Sequence, residues 1–259
     1  MPQPKSLILS TVPGLPEIQP GDELPELILD ALAQHDMAVA DGDIFVIAQK
    51  IVSKSEGRLV NLSTVRPGPR AVELAAQIGK RPELVQLILE ESSEVLRTRP
   101  GTIIVEHKSG FVCANAGIDH SNVRGPWGSP EDWVLLLPEN ADHSAQLLRA
   151  GLQRLSGKQI GVLIIDSHGR AWRNGIVGTS IGLAGMPAVV DMRGKSDRFD
   201  YSLRVTVIAA ADELAAGASL MMGQAAEGTP VVLAHGFPYE LAEDQAASLV
   251  REKKYDMFR

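Results

Sequence analysis

Asp119 and Asp166 are the most suggestive carboxylates of this 259-residue sequence. Each follows a strand-like segment and stands in a polar, glycine-containing loop, Gly117-Ile118-Asp119-His120-Ser121-Asn122 and Asp166-Ser167-His168-Gly169-Arg170-Ala171-Trp172-Arg173-Asn174-Gly175. Strand ends converge at one edge of a sheet, so two such residues can meet around a hard cation. Mg²⁺ and Mn²⁺ take oxygen ligands and keep waters and phosphate oxygens. Spacing alone favours the simpler reading, in which each Asp starts a turn by bonding its own backbone. Arg170 and Arg173 are two guanidinium groups able to grip phosphate or carboxylate bidentately. Trp172 between them is expected to lock the loop by packing under it; a solvated loop with one anchoring Trp fits equally well. Lys54 lies in the basic run Lys50-Ile51-Val52-Ser53-Lys54-Ser55-Glu56-Gly57-Arg58, which is either aimed at a triphosphate or simply a solvated face. Met222-Gly223-Gln224-Ala225-Ala226-Glu227-Gly228-Thr229 reads as a helix end and a turn. Gly228 suits a helix stop, and Gln224 and Glu227 are available as further oxygen ligands. His120 and His168 stand beside the two Asp residues and read as surface histidines.

The ordinary nucleotide-binding motifs are absent. The stretch from Gly151 to Lys158 has one residue too many between its glycines for a phosphate-binding Walker loop and lacks the following Ser or Thr. Gly178, Gly182 and Gly185 miss the Rossmann spacing, and there is no His-Glu-x-x-His motif. A net charge of -7 argues against a nucleic-acid surface, although a local basic cluster can still hold a small anion. Cys113 is the one cysteine, which excludes an intramolecular disulfide, and its apolar setting reads as a small buried hydrophobe. No signal peptide is evident, and the apolar stretch from Val205 to Met222 is broken by Asp212 and Glu213, so no membrane span and a cytoplasmic location are expected.

The elements that must position these residues are mixed. Strands are expected from Leu7 to Val12, Ile44 to Ala48, Thr102 to Glu106, Gly110 to Ala114, Gly161 to Ile165, Tyr201 to Ala209 and Val231 to Ala234. Helices are expected from Leu24 to His35, twice between residues 70 and 95 around Gly79-Lys80-Arg81-Pro82, from Ala141 to Leu155 and from Asp212 to Ala225. The fold class is mixed α/β of the α+β kind, a sheet containing antiparallel pairs with flanking helices. The chain reads as a single domain, 1–259, with Arg66 to Pro69 and Arg124 to Pro130 either dividing two subdomains or forming long surface loops.

Five blocks, in order, resemble the F420-0:L-glutamate ligases: Gly14-Leu15-Pro16-Glu17-Ile18 with Pro20-Gly21-Asp22, Gln49 to Arg58, Ala116 to Asn122, Asp166 to Gly175, and Met222-Gly223-Gln224. The resemblance runs from about Leu7 to Gly236. It implies an unusual family-specific fold seen as an intertwined homodimer, with F420-0 and L-glutamate as substrates and GTP as co-substrate. By that similarity Leu15, Pro16, Glu17, Ile18, Gln49, Lys54, Asn122, Met222, Gly223, Glu227, Gly228 and Thr229 contact GTP. Asp119, Asp166, Ser167 and Gln224 bind Mg²⁺ or Mn²⁺, with a monovalent cation such as K⁺ as a further candidate. Relatives often carry Ser at the position of Gln49 and Thr at that of Ser167; Ser167 keeps the hydroxyl. The flavin-reductase-like extension of some bacterial relatives is absent before Arg259, which implies the ligase half of such a protein's work.

The implied reaction phosphorylates the acceptor carboxylate and then displaces phosphate with the glutamate amine, once or more than once. Arg170 and Arg173 are the candidates to orient an acidic substrate. Rival readings are a ligase acting on another acid, a non-catalytic GTP-binding protein and a structural subunit.

Overall fold

The computed structural model describes residues 5–258. The chain opens with strand β1 (Ile8–Thr11) and helix α1 (Leu24–Gln34), followed by β2 (Ile44–Ala48) and α2 (Gln49–Ser55). Next come β3 (Leu59–Asn61), α3 (Pro69–Ile78), α4 (Pro82–Glu90), β4 (Ser92–Arg99), β5 (Thr102–His107), β6 (Val112–Ala114) and β7 (Trp133–Leu135). The remainder contains α5 (Ala141–Ser156), β8 (Gly161–Arg170), β9 (Arg173–Ala184), β10 (Val190–Asp191), β11 (Val207–Ile208), α6 (Ala210–Met222) and β12 (Val231–His235).

The main sheet has the order β1-β12-β2-β8-β9. Its pairs are antiparallel except β2 with β8, which run parallel with Phe45 opposite Val162 and Ile47 opposite Ile164. Both central strands are continuous apolar runs because both of their faces are covered. Phe45, Ile47, Val162 and Ile164 pack with α1 and α5 through Ile28, Leu32, Leu148 and Leu152. The alternate residues Ile44, Val46, Leu163 and Ile165 face α6 through Leu214, Ala215 and Ala218. A second core lies in the middle of the chain. There α3 and α4 cover the β4-β5-β6 sheet, with Leu74, Ile78, Val85 and Ile88 against Ile103, Val105 and Cys113. Cys113 is buried as expected, and burial together with the charge of Asp166 pushes its thiol up to about 12.

The largest departure from the sequence reading is the polar stretch after Ile165. Asp166 opens no loop: β8 continues to Arg170 and turns at Ala171-Trp172 into β9, so Asp166 pairs with Thr179 and Ser167 with Gly178. Trp172 does not pack under a loop. It sits at the hairpin tip with positive φ and 77% exposure, its ring 5.1 Å from that of Phe258. The register between β8 and β9 shifts where Ile164 faces Gly182 and Ile165 faces Ser180, so Ile181 is an extra residue on β9. This bulge lets two glycines four residues apart serve opposite layers. A Cβ on Gly178 would stand 2.5 Å from the Ala215 carbonyl oxygen of α6, and one on Gly182 would stand 2.3 Å from the Ala141 backbone of α5.

Two further expectations change. Tyr201 to Ala209 is not one strand; Val207–Ile208 pairs with β10, Ser202 makes an isolated bridge to Ser196, and Tyr201 and Val205 are exposed. Ser92–Arg99, assigned in part to a helix, is an edge strand whose polar residues leave no alternation to read.

Candidate functional site

The strands of the main sheet end around a cleft of about 2090 Å³, lined by all eighteen residues singled out above for nucleotide, metal or substrate. A single small ligand usually occupies roughly 300–1,000 Å³. The cleft can therefore hold a nucleotide and a second substrate together.

Asp119 enters from the turn after β6, where its backbone bridges to Leu135 of β7. Gln49, the first residue of α2, is only 1% exposed, and its amide is spent internally. Its Nε2 donates to Asp119 Oδ2 at 2.7 Å, while its Oε1 accepts from Ser53 Oγ at 2.9 Å. Gln49 thus positions a carboxylate from the wall of the cleft. Lys50 completes that support, with Nζ 3.4 Å from Asp119 Oδ2 and hydrogen-bonded to Ser121 Oγ and carbonyl oxygen. Burial, with the charge of Asp166 second, nevertheless pushes the Asp119 carboxyl up to about 6, against the pull of Lys50 and Gln49.

On β8, Asp166 Oδ2 lies 3.0 Å from His168 Nε2, and the His168 ring rests 5.3 Å from that of Phe111. His168 is therefore a packed partner of Asp166 rather than a surface histidine. Ser167 points into the cleft and donates to Gln224 Oε1 at 2.9 Å; Gln224 in turn donates to Ser219 Oγ on α6. The four oxygen-bearing residues Asp119, Asp166, Ser167 and Gln224 thus come from three separate parts of the chain.

Gly223 ends α6 with φ 73° and ψ -173°, and a Cβ there would meet the Glu227 carboxyl at 2.2 Å. The glycine lets Glu227 fold back to accept from the Ala225 amide at 2.7 Å, and backbone amides hold its carboxyl below the usual range. Thr229 Oγ1 closes the segment on the Met222 carbonyl, and Asn122 Nδ2 ties it to the Asp119 loop through the Ala225 carbonyl at 3.0 Å. Opposite, Lys54 is buried rather than solvated, its Nζ 2.5 Å from Glu17 Oε1 in the Leu15–Ile18 loop. Arg170 and Arg173 flank the hairpin tip, exposed to the cleft.

The donor set suits a hard divalent cation. It offers two carboxylates, a hydroxyl and an amide oxygen, with like charges close enough to raise one carboxyl and no available thiolate. Among the described residues no three His, Cys, Asp or Glu side chains gather as a metal cage. A cation here would draw its remaining ligands from water or phosphate, as Mg²⁺ commonly does. Lys50 and His168 went unselected in the sequence reading. Both neighbour a chosen carboxylate in space, and for His168 the separation of two residues on one strand face was the available signal.

The model of the F420-0:Gamma-glutamyl ligase family matches residues 14–236. The chain is 43% identical to the coenzyme F420:L-glutamate ligase of Methanothermobacter thermautotrophicus over 250 residues, covering 96% of this chain and 97% of the relative. It is 40% identical to that of Methanopyrus kandleri, covering 98% of each, and 42% identical to that of Archaeoglobus fulgidus, covering 96% and 94%. With its matching motifs now joined around one cleft, the chain belongs to the F420-0:gamma-glutamyl ligase family.

Proposed function

We propose that the chain joins L-glutamate to F420-0 at the expense of GTP, through an acyl phosphate. The observation that carries this reading is the convergence of Lys54, the Asp119–Asp166 pair and two cleft arginines, Arg170 and Arg173, without a carboxylate partner among the described residues, on one volume large enough for two substrates. An acceptor carboxylate oxygen bonds to the γ-phosphorus of GTP as the β–γ bridging bond breaks and GDP leaves. The glutamate amine then bonds to the activated carbonyl carbon, loses a proton, and phosphate departs. Phosphorylation is needed because a free carboxylate offers an amine no competent leaving group.

Within this scheme the Leu15–Ile18 loop and the Met222–Thr229 segment enclose the nucleotide, and Lys54 exchanges Glu17 for a phosphate oxygen. Asp119, Asp166, Ser167 and Gln224 hold Mg²⁺ or Mn²⁺, which when bound neutralises charge on the β- and γ-phosphates. Gln49 and Lys50 keep Asp119 aimed at that site, and His168 does the same for Asp166. A second copy of the chain is part of the proposal. Phe199, Val205, Leu220 and Trp172 are 88%, 85%, 83% and 77% exposed and offer apolar side chains to such a partner. Among the described residues no helix is long and apolar enough to cross a membrane.

The test incubates the protein with F420-0, L-glutamate and GTP, with and without Mg²⁺ or Mn²⁺, and reads product mass. A metal- and GTP-dependent gain of glutamyl units is expected. Asp119→Asn and Asp166→Asn are each expected to lose about 100-fold or more in kcat/KM, a few kcal/mol of charge stabilisation. Full metal-dependent turnover in either variant rejects the metal assignment, and product from another acid alone rejects the acceptor.

A further inference from the structure

The arginines of the cleft differ from the ion-paired ones, although Arg66, Arg154, Arg198, Arg204 and Arg251, outside the cleft, also lack a carboxylate partner among the described residues. Away from the cleft, Arg58, Arg70, Arg81, Arg149 and Arg193 each hold a carboxylate at 2.6–3.0 Å. Arg97, Arg99, Arg124, Arg170 and Arg173 line the cleft, and among the described residues none has a carboxylate partner. The cleft carboxylates are engaged elsewhere: Glu17 by Lys54, Asp119 by Gln49 and Lys50, Asp166 by His168, Glu227 by the Ala225 amide, and Asp256 by the Phe258 amide. A protein of net charge -7 thus lines this cleft with five guanidinium groups that no described carboxylate neutralises.

Arg97 and Arg99 stand apart from the machinery already described because they come from the second core. Ile103, Val105 and Cys113 fill the inner face of the β4-β5-β6 sheet. On its outer face the register sets Arg97 beside Ile104 and Ala114, and Arg99 beside Thr102, all lining the cleft. Three strands span about 10 Å, and residues two apart on a strand lie about 7 Å from each other. The result is an elongated, mostly apolar floor with two cations along one edge. It meets β8 where Phe111 touches His168, next to Asp166, whereas the proposed nucleotide segments come from the main sheet. A five-carbon amino acid needs no such floor; a long acid with an apolar body does.

We propose that Arg97 and Arg99 bind the anionic groups of the acceptor acid and that acceptors already carrying glutamate depend on them more. The inference rests on the ligase reading above. Each addition removes one carboxylate and one ammonium and supplies two carboxylates, so the acceptor gains one negative charge per round. A wall of unpaired guanidinium groups therefore holds the extended acceptor more strongly than the unextended one.

The experiment measures kcat and separate KM values for acceptor, GTP and L-glutamate in Arg97→Gln, Arg99→Gln and the double variant, using F420-0 and its monoglutamyl product as acceptors. The double variant is expected to raise the F420-0 KM about tenfold and the monoglutamyl KM further, with kcat and the other KM values within about twofold. Added salt is expected to narrow the gap, because exposed charges are screened. Arg66→Gln removes the same charge outside the cleft and is expected to change no KM. Both cleft arginines are exposed, so thermal melting is expected to match the unaltered protein. An unchanged acceptor KM, a rise confined to GTP or L-glutamate, or a fall in kcat alone overturns the proposal. If the unaltered protein extends no F420-0, the ligase reading falls and takes this inference with it. That outcome is distinct from active variants with unaltered acceptor KM.

Discussion

His107 couples the stability of the second core to pH, and the size of the effect follows from its surroundings. It ends β5 only 3% exposed, stacked on Phe111 with ring centroids 5.0 Å apart and planes 7° from parallel. Its Nδ1 accepts from the Ser109 amide at 3.0 Å, while Nε2 has no hydrogen-bond partner among the described residues. Burial first, then the charges of Lys108, Arg58 and His168, hold the imidazole at about 4 against an ordinary 6.5, with Asp166 opposing. The Glu91 carboxylate is 4.0 Å from Nε2. The folded value is depressed, so this stability is present above pH 6.5 and is lost as pH falls toward 4. Between pH 7 and pH 5 the unfolded chain takes up the proton and the folded chain refuses it, which costs about 2 kcal/mol.

The perturbation is His107→Gln, which keeps an oxygen for the Ser109 amide but does not titrate. Urea unfolding of both proteins at pH 5 and pH 7.5 isolates this residue, because other titrating groups cancel in the difference. At pH 7.5 the variant is expected to be less stable by about 1–3 kcal/mol through lost ring packing. At pH 5 that gap is expected to shrink by about 2 kcal/mol. A gap equal at the two pH values refutes the reasoning.

Two further outcomes follow from the geometry. Gly178→Ala drives a Cβ against the α6 backbone and is expected to cost about 2 kcal/mol in thermal or urea unfolding. Gly169→Ala on the same hairpin meets no atom within 4 Å and is expected to cost little; equal losses would contradict the close-approach argument. Gln49→Leu removes the 2.7 Å hydrogen bond to Asp119. It is expected to raise the divalent-metal concentration for half-maximal turnover about tenfold, and an unchanged requirement would show that Gln49 does not position the carboxylate.

Burial on both faces made the centre of the fold legible. Ile44–Ala48 and Gly161–Ile165 read as strands because unbroken apolar runs of that length have few alternatives, and α5 announced itself by its periodicity. The outer hairpin did not, for the converse reason. Beyond Ile165, β8 pairs with β9 alone and its residues are polar or glycine, so Ser167 to Gly175 carries no apolar alternation. Tyr201 to Ala209 erred in the opposite direction: Tyr201 and Val205 lie exposed, and of the alternating apolar residues only Val207 enters a short strand. At the site, residue types and their order identified the segments. Their partnerships, such as Gln49 with Asp119 seventy positions away, depend on β7, which pairs with β3 just after α2 and bridges to Asp119, and could not be read from local pattern.

The bulge at Ile181 bears on how this chain can change length over time. A strand alternates its faces with period two, so one extra residue reverses every assignment beyond it. Here that reversal is built in, and it sends Gly178 toward α6 and Gly182 toward α5. A deletion at Ile181 would flatten the strand and turn the outer half, with its contacts to Asp166 and Ser167, to the wrong side. An insertion at Ala171–Trp172 would lengthen the ribbon and leave those faces untouched. Length change in this arrangement is thus expected at the tip, while the two helices pressed against Gly178 and Gly182 constrain the residue count between them.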